Sequence, residues 1–423
     1  MTTNMLNPDA GAHILQWADL LARHSEPPWD ARGELTATYL THAHLATAGD
    51  LAQWMRDSGF DSVTTDAVGN VVGVYRAARP DAPVLMTGSH YDTVRNAGKY
   101  DGRLGILVPI ACVAALARAG RRLSFDIELV AFAEEEGQRF RATFLGSGAL
   151  TGDFDPQWLD QQDAHGLTMR DAMRAAGLPG EMAAIGALRR DPSRYLGFVE
   201  VHIEQGPVLV EQAVPLGVVT SINAGARYVC EAGGRAEHAG TTPMGMRRDA
   251  LLAAAEISLL VEQRASLEPG LVGTVGQMEV PGGSINVIPG SCRFTLDLRA
   301  PTNAQRDALV TDVLAGAREI AARRQISLEC NESMRVAAAP SDPAWQARWE
   351  RAVAAIGQPV FRLNSGAGHD AMKLHTIMPQ AMLFVRGGNR GISHNPLEII
   401  SAEDATLAVQ AFTALLDDLD VNG

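Results

Sequence analysis

The stretch APVLMTGSHYDTVRNAGKYDGRLGILVPIACVAALARAG, residues 82–120, joins a short apolar run, a glycine-containing loop and a long apolar segment. A short apolar run of this kind is typical of a strand buried on both faces, and the segment after the loop is typical of a helix. The first run is similar to NVVGVY (70–75), FDIELVAFA (125–133) and GFVEVHI (197–203). Helices between such strands indicate crossover connections, so the pattern predicts an α/β domain with a mostly parallel sheet.

The rhythm of the sequence changes near residue 217. Between 218 and 331 the pattern predicts the order strand, helix, strand, strand, helix, strand, which is typical of a ferredoxin-like α+β domain. A chain of 423 residues has room for two cores, because single cores stop growing near roughly 250–300 residues. We therefore predict an α/β domain formed by 1–217 and 332–423, interrupted by an inserted domain at 218–331.

The composition narrows the classes of protein that fit. A formal net charge of −13 argues against a nucleic-acid partner, which would require a clustered basic surface. The 4 cysteines are far apart and form no C-x-x-C motif, which argues against a disulfide framework and a thiolate zinc site. The first residues lack a basic signal region, and no run approaches about 18 apolar residues. We therefore expect no membrane partner and a cytoplasmic protein.

Side chains that bind metals follow the apolar runs. His90 ends the first run, three glutamates at 134–136 follow the next, and His202 ends a third. Ligands of open α/β sheets bind outside the carboxyl ends of the strands, so these side chains are expected to converge. Asp101 joins from the glycine-rich loop, and His394 follows the strand AMLFV. Imidazole and carboxylate together suit zinc, manganese, cobalt or nickel, and a shared aspartate would hold two ions close together.

Each of these features also has a simpler interpretation. A single histidine after a strand is more often a surface or capping residue, and a run of glutamates is often a solvated loop. The metal interpretation is favoured because four separate strand ends carry the same ligand chemistry. Three acidic residues directly after a buried strand would also be costly unless a cation compensates them.

Seven motifs extend this interpretation: GSHYDTVRNAGKYDG, AEEEGQRF, VEVHIEQGPVL, AEHAGTTPM, SINVIPGSCRFTLDLR, SGAGHDAM and GISHNPLE. With them the chain resembles, over nearly its whole length, the hydantoinase/carbamoylase-type amidases of the M20 metallopeptidase group. That group includes N-carbamoyl-L-amino-acid hydrolases, β-ureidopropionases and allantoate amidohydrolases. The resemblance implies a metal-dependent amidohydrolase that cleaves the C–N bond of a terminal ureido group on a small carboxylic acid, with allantoate favoured. The products would be ammonia and carbon dioxide beside the amine.

The resemblance also implies a catalytic metal centre. Glu135 matches the general base of the family. Two divalent ions, Zn²⁺ or Mn²⁺, would be bridged by Asp101. The residues that match the family's metal ligands are His90, Asp101, Glu136, His202 and His394.

The inserted domain matches the lid and dimerisation domain of the family, which implies a homodimer. His238 matches a histidine that donates to the substrate carbonyl, and Asn286 and Arg299 match the pair that holds the substrate carboxylate. Gln205 and Gly368 are expected to line the pocket. A surface ion pair for Arg299 and a helix cap for His238 are the simpler alternatives.

The sequence is also compatible with other functions. Within the ureido-cleaving branch, an N-carbamoyl-L-amino-acid hydrolase or a β-ureidopropionase is the alternative to an allantoate amidohydrolase. A peptidase or aminoacylase of the same group is a stronger alternative than a non-catalytic metal-binding scaffold. A scaffold would not need the general base, whereas the residues that match the base and the metal ligands are all present. His369 and Asp370 could bind metal, but the resemblance places them beside the substrate, so we leave them out of the ligand set.

Overall fold

The computed structural model describes residues 9–422. The chain divides into two compact units. The larger unit comprises Met1–Thr220, Ser341–Leu363 and His369–Gly423. The smaller unit comprises Ser221–Pro340 and Asn364–Gly368.

Helices and strands alternate along the larger unit, and the smaller unit combines long helices with antiparallel strands. The α-helices are α1 (Ala10–Leu21), α2 (His42–Asp57), α3 (Leu104–Arg118), α4 (Leu145–Thr151), α5 (Met169–Ala175), α6 (Met182–Gly186), α7 (Val208–Glu211), α8 (Ala250–Ala265), α9 (Asn303–Arg324), α10 (Pro343–Ala355), α11 (Ala371–Leu374) and α12 (Ala402–Asn422). The β-strands are β1 (Ser62–Thr65), β2 (Val71–Tyr75), β3 (Val84–His90), β4 (Asp126–Phe132), β5 (Tyr195–Ile203), β6 (Leu216–Ile222), β7 (Ala224–Gly233), β8 (Glu237–His238), β9 (Val272–Thr274), β10 (Met278–Glu279), β11 (Val287–Ile288), β12 (Ser291–Ala300), β13 (Ser327–Val336), β14 (Ala339–Pro340), β15 (Arg362–Ser365) and β16 (Gln380–Val385).

The larger unit is built on a mixed sheet with the strand order β1-β2-β4-β3-β5-β16-β6. The four central strands, β4, β3, β5 and β16, are parallel, which confirms the predicted fold class. Strand β2 was expected to belong to the parallel set, but it runs antiparallel to β1 and β4. A tight turn accounts for the antiparallel pairing with β1: Asp66 accepts hydrogen bonds from the backbone N–H groups of Val68 and Asn70, which folds β1 and β2 into a hairpin.

Helix α3 connects the loop after β3 to the core of the larger unit. It is apolar almost all round, because it packs against β3 and β5 and also against α1 and α12. Gly105 marks the closest approach, since an added Cβ would lie 2.3 Å from the carbonyl oxygen of Val201 on β5. The start of α3, and with it the loop that carries Asp101, is therefore held tightly against the strands. Within residues 9–422, no helix combines the length and the apolar character that a membrane span requires.

The smaller unit has the predicted ferredoxin-like order. Its antiparallel sheet has the order β10-β12-β7-β13, with β9 also pairing with β12, and α8 and α9 pack on it. Strand β7 alternates buried Tyr228 and Cys230 with exposed Arg227 and Val229, as expected of a sheet with one covered face. Strand β13 continues past 331, where we placed the end of this domain, because its pairing with β7 resumes after a bulge.

Candidate metal centre

The larger unit brings the predicted metal ligands to one edge of its sheet. Strand β3 ends at His90, β5 carries His202 near its end, and Glu135 and Glu136 follow β4. These three strands are parallel neighbours, with β3 in the middle, so their carboxyl ends lie side by side. Position on the sheet alone therefore gathers side chains that are far apart in sequence.

Asp101 lies at the centre of this group. Its Oδ1 is 3.7 Å from Nε2 of His90 and 3.4 Å from Nε2 of His202, and its Oδ2 is 3.0 Å from Nε2 of His394. Nε2 of His394 is also 3.4 Å from Oε1 of Glu136. The structure thus brings all five predicted ligands together around one carboxylate.

The donor atoms fall into small sets that could each hold an ion. One set is His90, Asp101 and His202, and another is Asp101, Glu136 and His394; within each set the ligand atoms lie within 4.8 Å of one another. Both sets contain nitrogen and oxygen donors, which suits zinc and manganese, and they share one aspartate. The residues present therefore fit a pair of divalent ions.

The charges around the sets favour a cation. Burial, and then repulsion from Glu136, raise the pKa of Glu135 well above its ordinary range. Burial, and then repulsion from Asp101, raise the pKa of Glu136 to about 8. Burial would also raise the pKa of Asp101, but hydrogen bonds from His394 and His90 lower it well below its ordinary value. Several carboxylates in a buried site repel one another, and divalent cations relieve that repulsion.

The site opens to solvent on one side. The side chains of His90, Asp101 and His202 are 4%, 7% and 1% exposed, whereas that of His394 is 50% exposed. The site is therefore accessible to solvent at His394.

Sequence reasoning missed Asp92, which lies behind the candidate ligands. Its two carboxylate oxygens accept the backbone N–H groups of Glu135 and Glu136, both at 3.1 Å, and one of them lies 3.4 Å from Nδ1 of His90. A carboxylate behind a ligand histidine fixes the orientation of the imidazole ring. Asp92 therefore fixes the backbone of both glutamates relative to His90.

A second buried cluster adjoins His202. Glu200 accepts a hydrogen bond from Oγ of Ser89 at 2.7 Å, and the ring of His369 lies 4.4 Å from that of His202. Asp370 accepts a hydrogen bond from Oγ of Ser147 at 2.5 Å. Glu200, His202 and His369 also form a possible ligand set. His369 and Asp370, which we left out of the ligand set, thus lie directly beside it.

Gln205 contacts a candidate ligand directly. Its Nε2 donates a hydrogen bond to Oδ1 of Asp101 at 2.9 Å and lies 3.3 Å from Nε2 of His394. Both Gln205 and His394 have positive φ angles, 59° and 52°, which non-glycine residues rarely adopt. Backbone strain of this kind persists only where the surrounding structure holds it, and it is concentrated at functional sites.

The remaining predicted site residues belong to the smaller unit. His238 on β8 pairs with Val287 on β11, and the N–H of Ala239 donates to the carbonyl of Asn286, so His238 and Asn286 are neighbours within this unit. Nδ1 of His238 accepts the N–H of Gly240 at 3.0 Å. In its neutral form the ring therefore carries its proton on Nε2, where it is free to donate.

Arg299 forms the ion pair that was its simpler alternative. Its Nε and Nη2 donate to the two oxygens of Asp297 at 2.9 Å each, and its Nη1 donates to the carbonyl of Gly366 at 2.7 Å. Arg227 donates to the same aspartate at 2.9 Å. These side chains line an open cavity of about 670 Å³ within the smaller unit. Gly368 belongs to the same short segment as Gly366.

The comparisons with known proteins identify the family. Residues 86–418 match the sequence profile described as Peptidase family M20/M25/M40. The chain belongs to this family, and the prediction of a hydrolase of the M20 group is confirmed.

Three of the most similar proteins are two amidohydrolases or deiminases compared by sequence and one amidase compared by structure. The chain is 40% identical over 361 residues to an "N-carbamoyl-L-amino acid amidohydrolase" of Geobacillus stearothermophilus, which covers 85% of this chain and 87% of that one. It is 36% identical over 420 residues to a "Probable allantoate deiminase" of Oryza sativa subsp. japonica, covering 92% and 85%. A hydantoinase/carbamoylase family amidase from Burkholderia ambifaria has a similar structure, with a TM-score of 0.88, 32% identity and 97% coverage of each chain. The first two relatives are named for different substrates, although their identities to this chain, 40% and 36%, are similar.

Proposed function

We propose that this protein is a metal-dependent amidohydrolase that cleaves the C–N bond of a terminal ureido group on a small carboxylic acid. One observation carries the proposal: Asp101 is shared by two sets of metal ligands, and Glu135 lies directly beside one of them. The amidohydrolase and deiminase names of the relatives agree with this reaction. A non-catalytic metal-binding scaffold would not need Glu135.

The two ligand sets would hold two divalent ions, Zn²⁺ or Mn²⁺. His90, Asp101 and His202 would bind one ion, and Asp101, Glu136 and His394 the other. Bound there, the ions would supply the positive charge that polarises a carbonyl group and makes a water molecule more acidic.

Glu135 is the proposed general base. It would accept a proton from the attacking water as the water oxygen bonds to the ureido carbon, and would then donate that proton to the departing nitrogen as the C–N bond breaks. Asp92 holds its backbone N–H, which keeps the carboxylate in place during both transfers.

The smaller unit is proposed to supply the groups that recognise substrate. His238 would donate from Nε2 to the carbonyl oxygen. Arg299 and Asn286 would bind the substrate carboxylate. Asp297 accepts the Nε proton and one Nη2 proton of Arg299, and Gly366 accepts one Nη1 proton, so the carboxylate would bind the second N–H of Nη1 and of Nη2. Gln205 and Gly368 would complete the pocket.

Allantoate is the proposed substrate, with N-carbamoyl-L-amino acids and N-carbamoyl-β-alanine as alternatives. We expect kcat/KM for allantoate to exceed that for N-carbamoyl-L-methionine by roughly 10²-fold or more. The apolar side chain of N-carbamoyl-L-methionine would leave polar groups of the pocket without hydrogen-bond partners, which disfavours this substrate. Ammonia release from a panel of ureido acids measures this ratio. Efficient hydrolysis of N-carbamoyl-L-methionine or N-carbamoyl-β-alanine, with none of allantoate, would reverse the choice of substrate and leave the metal chemistry intact.

We further propose a cytoplasmic homodimer assembled through the smaller unit. The 4 cysteines are free thiols, which agrees with a reducing compartment. Helix α8 exposes Leu252 (43%) and Leu259 (66%), and such exposed apolar side chains are common where subunits meet. Sedimentation equilibrium of the purified protein tests the proposed dimer.

A further inference from the structure

Glu398 makes contacts that neither the ligand sets nor the proposed reaction explains. Its Oε1 accepts the backbone N–H groups of Tyr100 at 2.8 Å and Asp101 at 3.1 Å. Its Oε2 accepts the hydroxyl of Ser393 at 2.6 Å. Glu398 is only 2% exposed, so these bonds form away from competing water.

These three bonds join two separate loops of the larger unit. One loop carries Asp101, the shared carboxylate, and the other carries His394 directly after Ser393. Asp101 and His394 face each other at 3.0 Å between Oδ2 and Nε2. One side chain thus holds the backbone of the first loop and the residue next to the ligand of the second.

The carboxylate of Glu398 has little freedom to move. It packs over Gly98, where an added Cβ would lie 2.2 Å from the Cδ of Glu398, so only glycine leaves room for it. The buried guanidinium of Arg103 lies within electrostatic range of both Glu398 and Asp101. On the other side of the contact, His394 has the strained φ of 52°, which its neighbours must maintain.

We propose that Glu398 is a positioning residue that fixes the separation and orientation of Asp101 and His394, and thereby sets the affinity of the site for divalent metal. The inference rests on the proposed metal site. Outer groups that orient metal ligands typically change metal affinity by about 10- to 100-fold when they are lost. We expect a loss of that size when the bonds of Glu398 are removed.

The test measures metal binding without substrate. Metal-free protein is titrated with Zn²⁺ in competition with a chromophoric chelator, for the wild type, Glu398→Ala and Glu398→Gln. Glu398→Ala should weaken Zn²⁺ binding by about 10- to 100-fold. Glu398→Gln should recover most of the affinity, because its amide oxygen still accepts the two backbone N–H groups and its amide nitrogen can donate to Ser393.

Asp126→Ala is the matched control. Asp126 is also buried and accepts the backbone N–H of Ala77 at 2.7 Å, but it lies at the start of β4, the end of that strand far from the ligands. This variant should keep wild-type affinity for Zn²⁺. Ser393→Ala removes one of the three bonds of Glu398, together with the longer hydrogen bond that Ser393 accepts from Gln205 at 3.4 Å. It should weaken Zn²⁺ binding less than Glu398→Ala, and it is the variant that tests the proposal if Glu398→Ala does not fold.

Two results would overturn the proposal. One is a wild-type affinity for Zn²⁺ in Glu398→Ala or, if that variant does not fold, in Ser393→Ala. The other is a loss in Glu398→Gln as large as that in Glu398→Ala, because charge rather than position would then be responsible. A wild-type protein that binds Zn²⁺ but does not hydrolyse ureido acids would instead contradict the proposed function alone.

Discussion

Removal of divalent metal is expected to abolish hydrolysis of ureido acids, and addition of Zn²⁺ or Mn²⁺ is expected to restore it. The reason is the arrangement around Asp101, where His90, His202 and His394 converge on one carboxylate and Glu136 completes the second set. A divalent cation held there would neutralise the negative charge that develops on the substrate oxygen. The measurement is ammonia release after dialysis against a chelator and after titration with each metal.

Elemental analysis of the same samples makes this prediction specific. Two ions per chain in the reactivated enzyme would agree with the two ligand sets that share Asp101. Treatment with chelator already saturated with metal is the control, since it should leave activity unchanged. Full hydrolysis by protein shown to be free of metal would contradict the proposed mechanism.

The convergence of the candidate ligands could be predicted from sequence because the strands that carry them are parallel neighbours. His90 and His202 end buried apolar runs, and parallel neighbouring strands place such ends side by side whatever their distance in sequence. The ferredoxin-like order of the smaller unit was visible for a similar reason, since each strand and helix there has its own periodicity.

Asp92 and Glu398 could not be predicted in the same way. Both act through backbone N–H groups: Asp92 on a residue 43 positions away, and Glu398 on one 298 positions away. Neither ends an apolar run, so periodicity carries no information about them. An ion pair of Arg299 was an alternative from the sequence, but its partner was not predicted. The partner is Asp297, two residues earlier on the same strand, because alternate residues point to the same face.

The antiparallel direction of β2 shows the same limit. Its apolar run predicts a buried strand correctly, but the direction of the strand depends on the turn before it. Asp66 forms that turn with the backbone N–H groups of Val68 and Asn70. The turn residues DAVGN favour a hairpin at this point, because aspartate, asparagine and glycine are typical of tight turns.

Substitution of the two adjacent glutamates should separate catalysis from metal binding. Glu135→Gln is expected to keep the bound metal and to lose at least about 10²-fold in turnover, because an amide cannot accept the proton of the attacking water. Glu136→Gln is expected to weaken metal binding, because Glu136 belongs to the set with Asp101 and His394. Turnover is measured as ammonia release at saturating metal, and bound metal by elemental analysis.

The two variants are matched controls for each other. The backbone N–H groups of Glu135 and Glu136 are both held at 3.1 Å by Asp92, and each substitution replaces one carboxylate with an amide of the same shape. A general disturbance of the turn would therefore affect metal binding and turnover alike in both variants. The proposed roles require the two measurements to diverge: Glu135→Gln should fail in turnover with metal in place, and excess metal should partly rescue Glu136→Gln. Near-normal turnover by Glu135→Gln would show that another group takes the proton, and Asp370, buried nearby with a pKa raised to about 7 by burial, would then be the next residue to substitute.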